Sequence, residues 1–75
     1  MKSNIELYTV QKVKEHREDA DMSIRYFADC LNVSHQFISK IEDATSDKAY
    51  NLDHLNEIAK ILKCSPRDFL PEKPL

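Results

Sequence analysis

Residues 24–41 read IRYFADCLNVSHQFISKI, and their spacing predicts two short helices joined by a sharp turn. Phe27, Ala28 and Leu31 fall on one side of the first helix, with Ile24 partly so. Ile38 and Ile41 fall on one side of the second. Only Asn32 and Val33 separate Leu31 from Ser34, a residue of helix-capping type. A link that short forces a steep crossing. Ala28 supplies the small side chain that lets two backbones approach. Asn32 supplies a residue that tolerates positive φ in a chain with no glycine. The pattern is that of a helix-turn-helix, whose helices meet at roughly 90–120°.

The second helix, about Ser34–Glu42, turns His35, Gln36, Ser39 and Lys40 away from Ile38 and Ile41. All four side chains form hydrogen bonds, and from Asn32 to Ile41 there is one cation, Lys40, and no acid. A polar outer face is what any surface helix shows, and alone it means only solvation. Carried on a tight turn in this register, such a helix can enter the DNA major groove and read base edges with its N-terminal half. Gln36 can fork onto an adenine and Lys40 can donate to a guanine. His35 and Ser39 can reach a base or a phosphate. The helix starts at Ser23 and Ser34 present amide groups that can each hold a phosphate oxygen.

Working outward, one device recurs. An apolar residue precedes a capping residue and another follows four positions after the cap, in Met22-Ser23-Phe27, Val33-Ser34-Ile38, Tyr50-Asn51-Leu55 and Cys64-Ser65-Phe69. Each matches an N-cap with a hydrophobic staple, and Pro66 with Asp68 strengthens the last. They predict helix 2 over Ser23–Leu31, helix 3 over Ser34–Glu42, helix 4 over Asn51–Lys63 and a short helix 5 over Ser65–Leu70, ended by Pro71. Helix 4 carries Leu55, Ile58, Ala59, Ile61 and Leu62. Helix 1 is expected over Thr9–Ala20, with Val10, Val13, Arg17 and Ala20 on one stripe. The alternation of Ile5, Leu7 and Thr9 suggests an extended lead-in over residues 1–8. The class is therefore all-α: one five-helix domain over residues 9–70 and a C-terminal tail over 71–75.

Composition bounds the function. The 75 residues are 41% apolar and 32% charged, with 11 Lys+Arg against 13 Asp+Glu and a net charge of −2. That is one small domain with no overall basic field. No Ser/His/Asp set, carboxylate pair or phosphate loop appears in register, so an enzyme is not expected. Met1–Val10 has no apolar stretch like a signal-peptide core and no run reaches membrane length, so a cytoplasmic domain is expected. Cys30 and Cys64 lie 34 positions apart. His16, His35 and His54 are also widely separated. No disulfide, metal site or cofactor is expected from that spacing. The cysteines read as small buried residues or idle thiols, and His16 as a partly packed histidine.

The stretches MSIRYFADCLNVSHQFISKIE and NLDHLNEIAKILKCSPRDFL together resemble the Xre/Cro/lambda-repressor family of helix-turn-helix DNA-binding domains. The specific parts are A-x-x-L-x-V-S, I-S-K-I-E, L-x-x-I-A-K-x-L and the final short capped helix. The resemblance spans roughly Val10–Leu70 and implies the lambda-repressor-like five-helix fold, with helices 2 and 3 as the motif. It implies base reading by His35, Gln36, Ser39 and Lys40. It implies DNA-backbone contacts at Ser23, Ser34 and the segment Thr45 to Lys48. It also implies a structural salt bridge between Arg17 and Glu42, which could present Arg17 to a phosphate. Ile24 stands where many members have a Gln that binds phosphate.

The function expected is sequence-specific binding of double-stranded DNA by a small transcription regulator, of repressor type. One copy offers few cations near DNA (Lys12 or Lys14, Arg17, Lys40, Lys48), so a homodimer on a palindrome is expected. Candidate dimer contacts are His54, Arg67 and Leu70, with Pro71, Pro74 and Leu75 of the tail. The alternative is a protein-interaction module of the same fold, such as an antitoxin-like subunit. The acidic balance, Ile24, Asp43 and Asp47 favour it.

Overall fold

Ser23, Ser34, Asn51 and Ser65 all lie in extended backbone and turn a side-chain oxygen onto the helix that follows. They accept from the amides of Tyr26, Phe37, His54 and Arg67 at 3.1, 3.1, 2.8 and 3.3 Å. Each satisfies an amide that the helix geometry leaves unpaired. The computed structural model describes all 75 residues, Met1–Leu75. Four α-helices result: α1 (Asn4–Asp19), α2 (Ile24–Leu31), α3 (His35–Glu42) and α4 (Leu52–Leu62). A single 3₁₀ turn, Pro66–Phe69, closes the fold. There is no strand.

Two expectations need correction. The expected fifth helix is only that 3₁₀ turn, because Pro71 leaves no room to propagate it. The lead-in 1–8 is not extended, because α1 already begins at Asn4. Ser3 caps it by accepting from the Glu6 amide at 3.2 Å, and the Glu6 carboxylate accepts from the Ser3 amide at 2.8 Å. The Ser3 amide, and then the Ser3 hydroxyl, hold the Glu6 carboxyl below the usual range. No apolar residue precedes Ser3, so the staple that marks the other starts is missing here. Ala20 is exposed, and Thr9 is buried beside Val10, Val13 and Arg17 instead.

Three of the four α-helices end alike, while α3 runs into extended backbone at Asp43. Asp21, Asn32 and Lys63 adopt φ of 58°, 60° and 57°. The next amide in each case reaches back to a carbonyl five residues earlier: Met22 to Arg17, Val33 to Ala28 and Cys64 to Ala59, at 3.0–3.1 Å. This is the left-handed helix stop that glycine usually makes.

Val13, Phe27, Ala28, Ile38, Leu55, Ile58, Ala59 and Phe69 form the core. Every helix contributes, and Phe69 carries the 3₁₀ turn into it. Leu31, Val33, Phe37, Tyr50, Leu62 and Ile24 pack around it, half-buried. Ile24 therefore spends much of its surface on this core rather than standing free at the start of α2. The N-terminus is tied down by Lys2, whose ammonium donates to the carbonyls of Asp43 and Ser46 at 2.6 and 2.7 Å. No helix is long and apolar enough to cross a membrane.

Candidate nucleic-acid interface

The α2–α3 turn sets the site. Asn32 in the left-handed region reverses the chain, and Ala28, fully buried, lies where α2 meets α3. Ile38 and Ile41 are fully buried and fix the inner face of α3. Its 8 residues make a rod about 12 Å long at ~1.5 Å per residue. Gln36, Ser39 and Lys40 are exposed on it, and His35, at its first position, is half-buried. None of the four donates to or accepts from another side chain, and Lys40 has no ion-pair partner. A carboxamide, a hydroxyl and an ammonium thus stand free on one face of a helix of groove-compatible size.

Behind that face Arg17 and Glu42 form a two-pronged ion pair. Arg17 Nε donates to Glu42 Oε2 and Nη2 to Oε1, both at 3.0 Å, and Nη1 donates to the Met22 carbonyl at 2.7 Å. Both side chains are 8% exposed. The pair joins the end of α1 to the end of α3 and sets the tilt of α3. Removing one partner would strand a buried charge, at about 3–5 kcal/mol. Three of the five guanidinium N–H donors are engaged and the side chain is 8% exposed, so the pair turns Arg17 inward and presents little of it to a phosphate.

Of the remaining backbone-contact candidates, Ser23 and Ser34 are exposed at their helix starts. Lys48 is exposed and has no ion-pair partner. Thr45 differs from expectation. Its hydroxyl and its amide both donate to the Asp43 carboxylate, at 2.7 and 2.9 Å, so neither donor is available. The Thr45 hydroxyl, then its amide, hold the Asp43 carboxyl below its usual range and keep it anionic. Arg25 is a further candidate that the helical spacing does not single out. It is exposed and unpaired, two residues after Ser23 in the first turn of α2. A cation beside a capping serine is the signal that would have found it.

The dimer candidates part company. His54 is occupied internally: its Nδ1 accepts from the Asn51 amide at 3.1 Å, and its ring meets Phe37 and Tyr50 edge-on. Arg67 and Leu70 are exposed. Leu70 belongs to an open groove lined mainly by Ile5, Thr9, Tyr50, Leu52 and Leu55. In it Leu52 is 78% and Ile5 45% exposed. His16 is half-buried, edge-on to Phe69. Cys30 is exposed, not buried, and Cys64 is half-buried. Contrary to the expectation from spacing, His16, Cys64 and Asp68 come together.

A bent helix pair in which the second helix offers a polar face and the first braces it defines a helix-turn-helix DNA-binding domain. The family profile of the Cro/C1-type HTH DNA-binding domain matches residues 12–71, and the chain belongs to that family. Comparison with curated proteins returns no match. Among solved structures, crystal structures of HppE share the fold. The cobalt(II) form in complex with Tris buffer has a TM-score of 0.78 at 20% identity, over 92% of this chain and 38% of that one. The iron(II) form in complex with substrate has a TM-score of 0.75 at 21% identity, over 88% and 36%. The chain thus spans little more than a third of those proteins, and at this identity the likeness concerns the fold alone.

Proposed function

We propose that this domain is a sequence-specific regulator of transcription, of repressor type, that places α3 in the major groove of double-stranded DNA. The observation that carries this is the free row Gln36, Ser39 and Lys40 on a helix clamped from behind by Ile38, Ile41 and the Arg17–Glu42 pair. Gln36 and Lys40 read bases, with His35 and Ser39 beside them. The helix starts at Ser23 and Ser34, with Lys48 and Arg25, hold phosphates. So few cations bind one site weakly, and two copies on a palindrome with half-sites about 34 Å apart would compensate. The groove edged by Ile5, Leu52 and Leu70 is the apolar patch such a homodimer needs. Two free thiols suit a reducing cytoplasm.

Selection of bound sequences from random duplex DNA at two salt concentrations tests this directly. A palindromic consensus bound by two chains is expected. Gln36→Ala should cost about 1–3 kcal/mol on the selected site and relax one base position. Equal loss on random DNA would contradict base reading. Lys48→Ala should weaken all sequences alike and lower the salt slope by about one. The exposed Ile5–Leu52–Leu70 groove also favours a second reading, a protein-binding, antitoxin-like role. No retention on any duplex, together with a stoichiometric co-purifying protein, would decide for that reading.

A further inference from the structure

His16, Cys64 and Asp68 come from the last turns of α1, the residue after the stop of α4, and the 3₁₀ turn. One ligand atom from each lies within 4.8 Å of the others. We propose that the three form a Zn2+-binding site that clamps the end of α1 to the C-terminal turn.

The His16 and Asp68 side chains are already held by hydrogen bonds, and the Cys64 backbone is fixed. His16 Nδ1 lies 2.9 Å from the Lys12 carbonyl oxygen, which only accepts. Nδ1 therefore carries the proton, and in the neutral ring Nε2 keeps its lone pair for a metal. A ring nitrogen fixed by a backbone carbonyl is the usual support of a ligating histidine. The ring is further held edge-on to Phe69, with centroids 5.1 Å apart and planes at 82°. Asp68 Oδ2 accepts from the Ser65 amide at 3.1 Å, which sets the carboxylate and leaves Oδ1 with no protein partner. The Cys64 amide donates a hydrogen bond to the Ala59 carbonyl at 3.0 Å, which fixes the backbone there.

The chemistry of the set selects the ion. A thiolate with an imidazole favours Zn2+ over Mg2+ or Ca2+, which prefer oxygen. Three protein ligands leave one tetrahedral position for water. Burial, and then the Asp68 charge, push the Cys64 thiol up, so without metal it stays protonated. Zn2+ reverses that balance: the S–H bond breaks, the proton passes to solvent, and a Zn–S bond forms. The dication also removes the repulsion between thiolate and carboxylate. Cys30, exposed on α2, lies outside the cluster and serves as the internal control.

The test is titration of the reduced full chain with Co2+, then Zn2+, followed by absorbance and thermal unfolding. One equivalent of Co2+ should produce a thiolate-to-cobalt charge-transfer band with intense visible bands of tetrahedral cobalt, and Zn2+ should bleach both. Tm should rise with free Zn2+, as linkage requires. Cys64→Ser should abolish the band and the Tm rise. Asp68→Asn, which keeps an oxygen for the Ser65 amide, should weaken Co2+ binding at least tenfold while the helical circular dichroism stays unchanged. Cys30→Ser should bind as the parent does. Absence of a charge-transfer band at one equivalent, a band that survives Cys64→Ser, or a band lost in Cys30→Ser would overturn the site.

Discussion

Tyr50 carries a buried hydroxyl with no protein hydrogen-bond partner. It lies close enough to the Arg17–Glu42 pair to feel both charges. Burial first, and then the Glu42 carboxylate, push its phenol well above its ordinary value. The sign of the linkage follows. Unfolded tyrosine ionises near ~10, while folded Tyr50 keeps its proton to higher pH. Tyr50 ionisation therefore leaves stability unchanged below about 10 and lowers it as pH rises from there through the folded value, because the folded state disfavours the phenolate. Tyr50→Phe should remove that share of the alkaline loss. It should also raise stability at neutral pH by up to about 1 kcal/mol, because an unpaired buried hydroxyl is removed. Urea denaturation at pH 7 and above pH 10 would check both. A loss of more than about 1 kcal/mol at pH 7 would mean that the hydroxyl supports the ion pair.

The helices of this chain are defined by their ends more than by their faces. Four starts are legible because an apolar residue, a cap and a second apolar residue stand at fixed spacing. The fifth, at Ser3, lacks the apolar partner, and Lys2 stands in its place. In α1 two polar residues, Thr9 and Arg17, take buried positions, which blurs the amphipathic stripe and hides its first turns. The stops are less well suited to their task than the starts. Asp21 holds a left-handed conformation at φ 58° and places an anion at the negative end of α1, beside Glu18 and Asp19. Asp21→Gly relieves both the steric and the dipole cost and should stabilise the domain by about 1 kcal/mol. Asn32→Gly should gain less, since asparagine tolerates this region best after glycine. Denaturation midpoints with unchanged m values would verify the order.

In the assembled molecule the segment that follows α3 is held from the far end of the chain. Lys2, only 5% exposed, donates to the carbonyls of Asp43 and Ser46, at the negative end of α3. Lys2→Ala should cost about 1.5–3 kcal/mol, the range for hydrogen bonds of a charged group. It should also speed amide exchange over residues 43–48 and weaken DNA binding on every sequence alike. A change in base preference instead would mean that Lys2 acts on α3 itself.

The all-α class, the helix-turn-helix and the outward row of α3 could be read from the chain because they depend on local rules. Caps, staples and helical spacing act over about four residues. Lys2 reaching Asp43 and Ser46, the sealing of Arg17 away from solvent, and the meeting of His16 with Cys64 and Asp68 could not be read. Each brings together residues 25 to 52 positions apart, and no spacing rule spans such a gap. Those contacts exist only once Phe69 and the isoleucines of α3 and α4 are buried in one core, and burial of that kind has no direction along the chain.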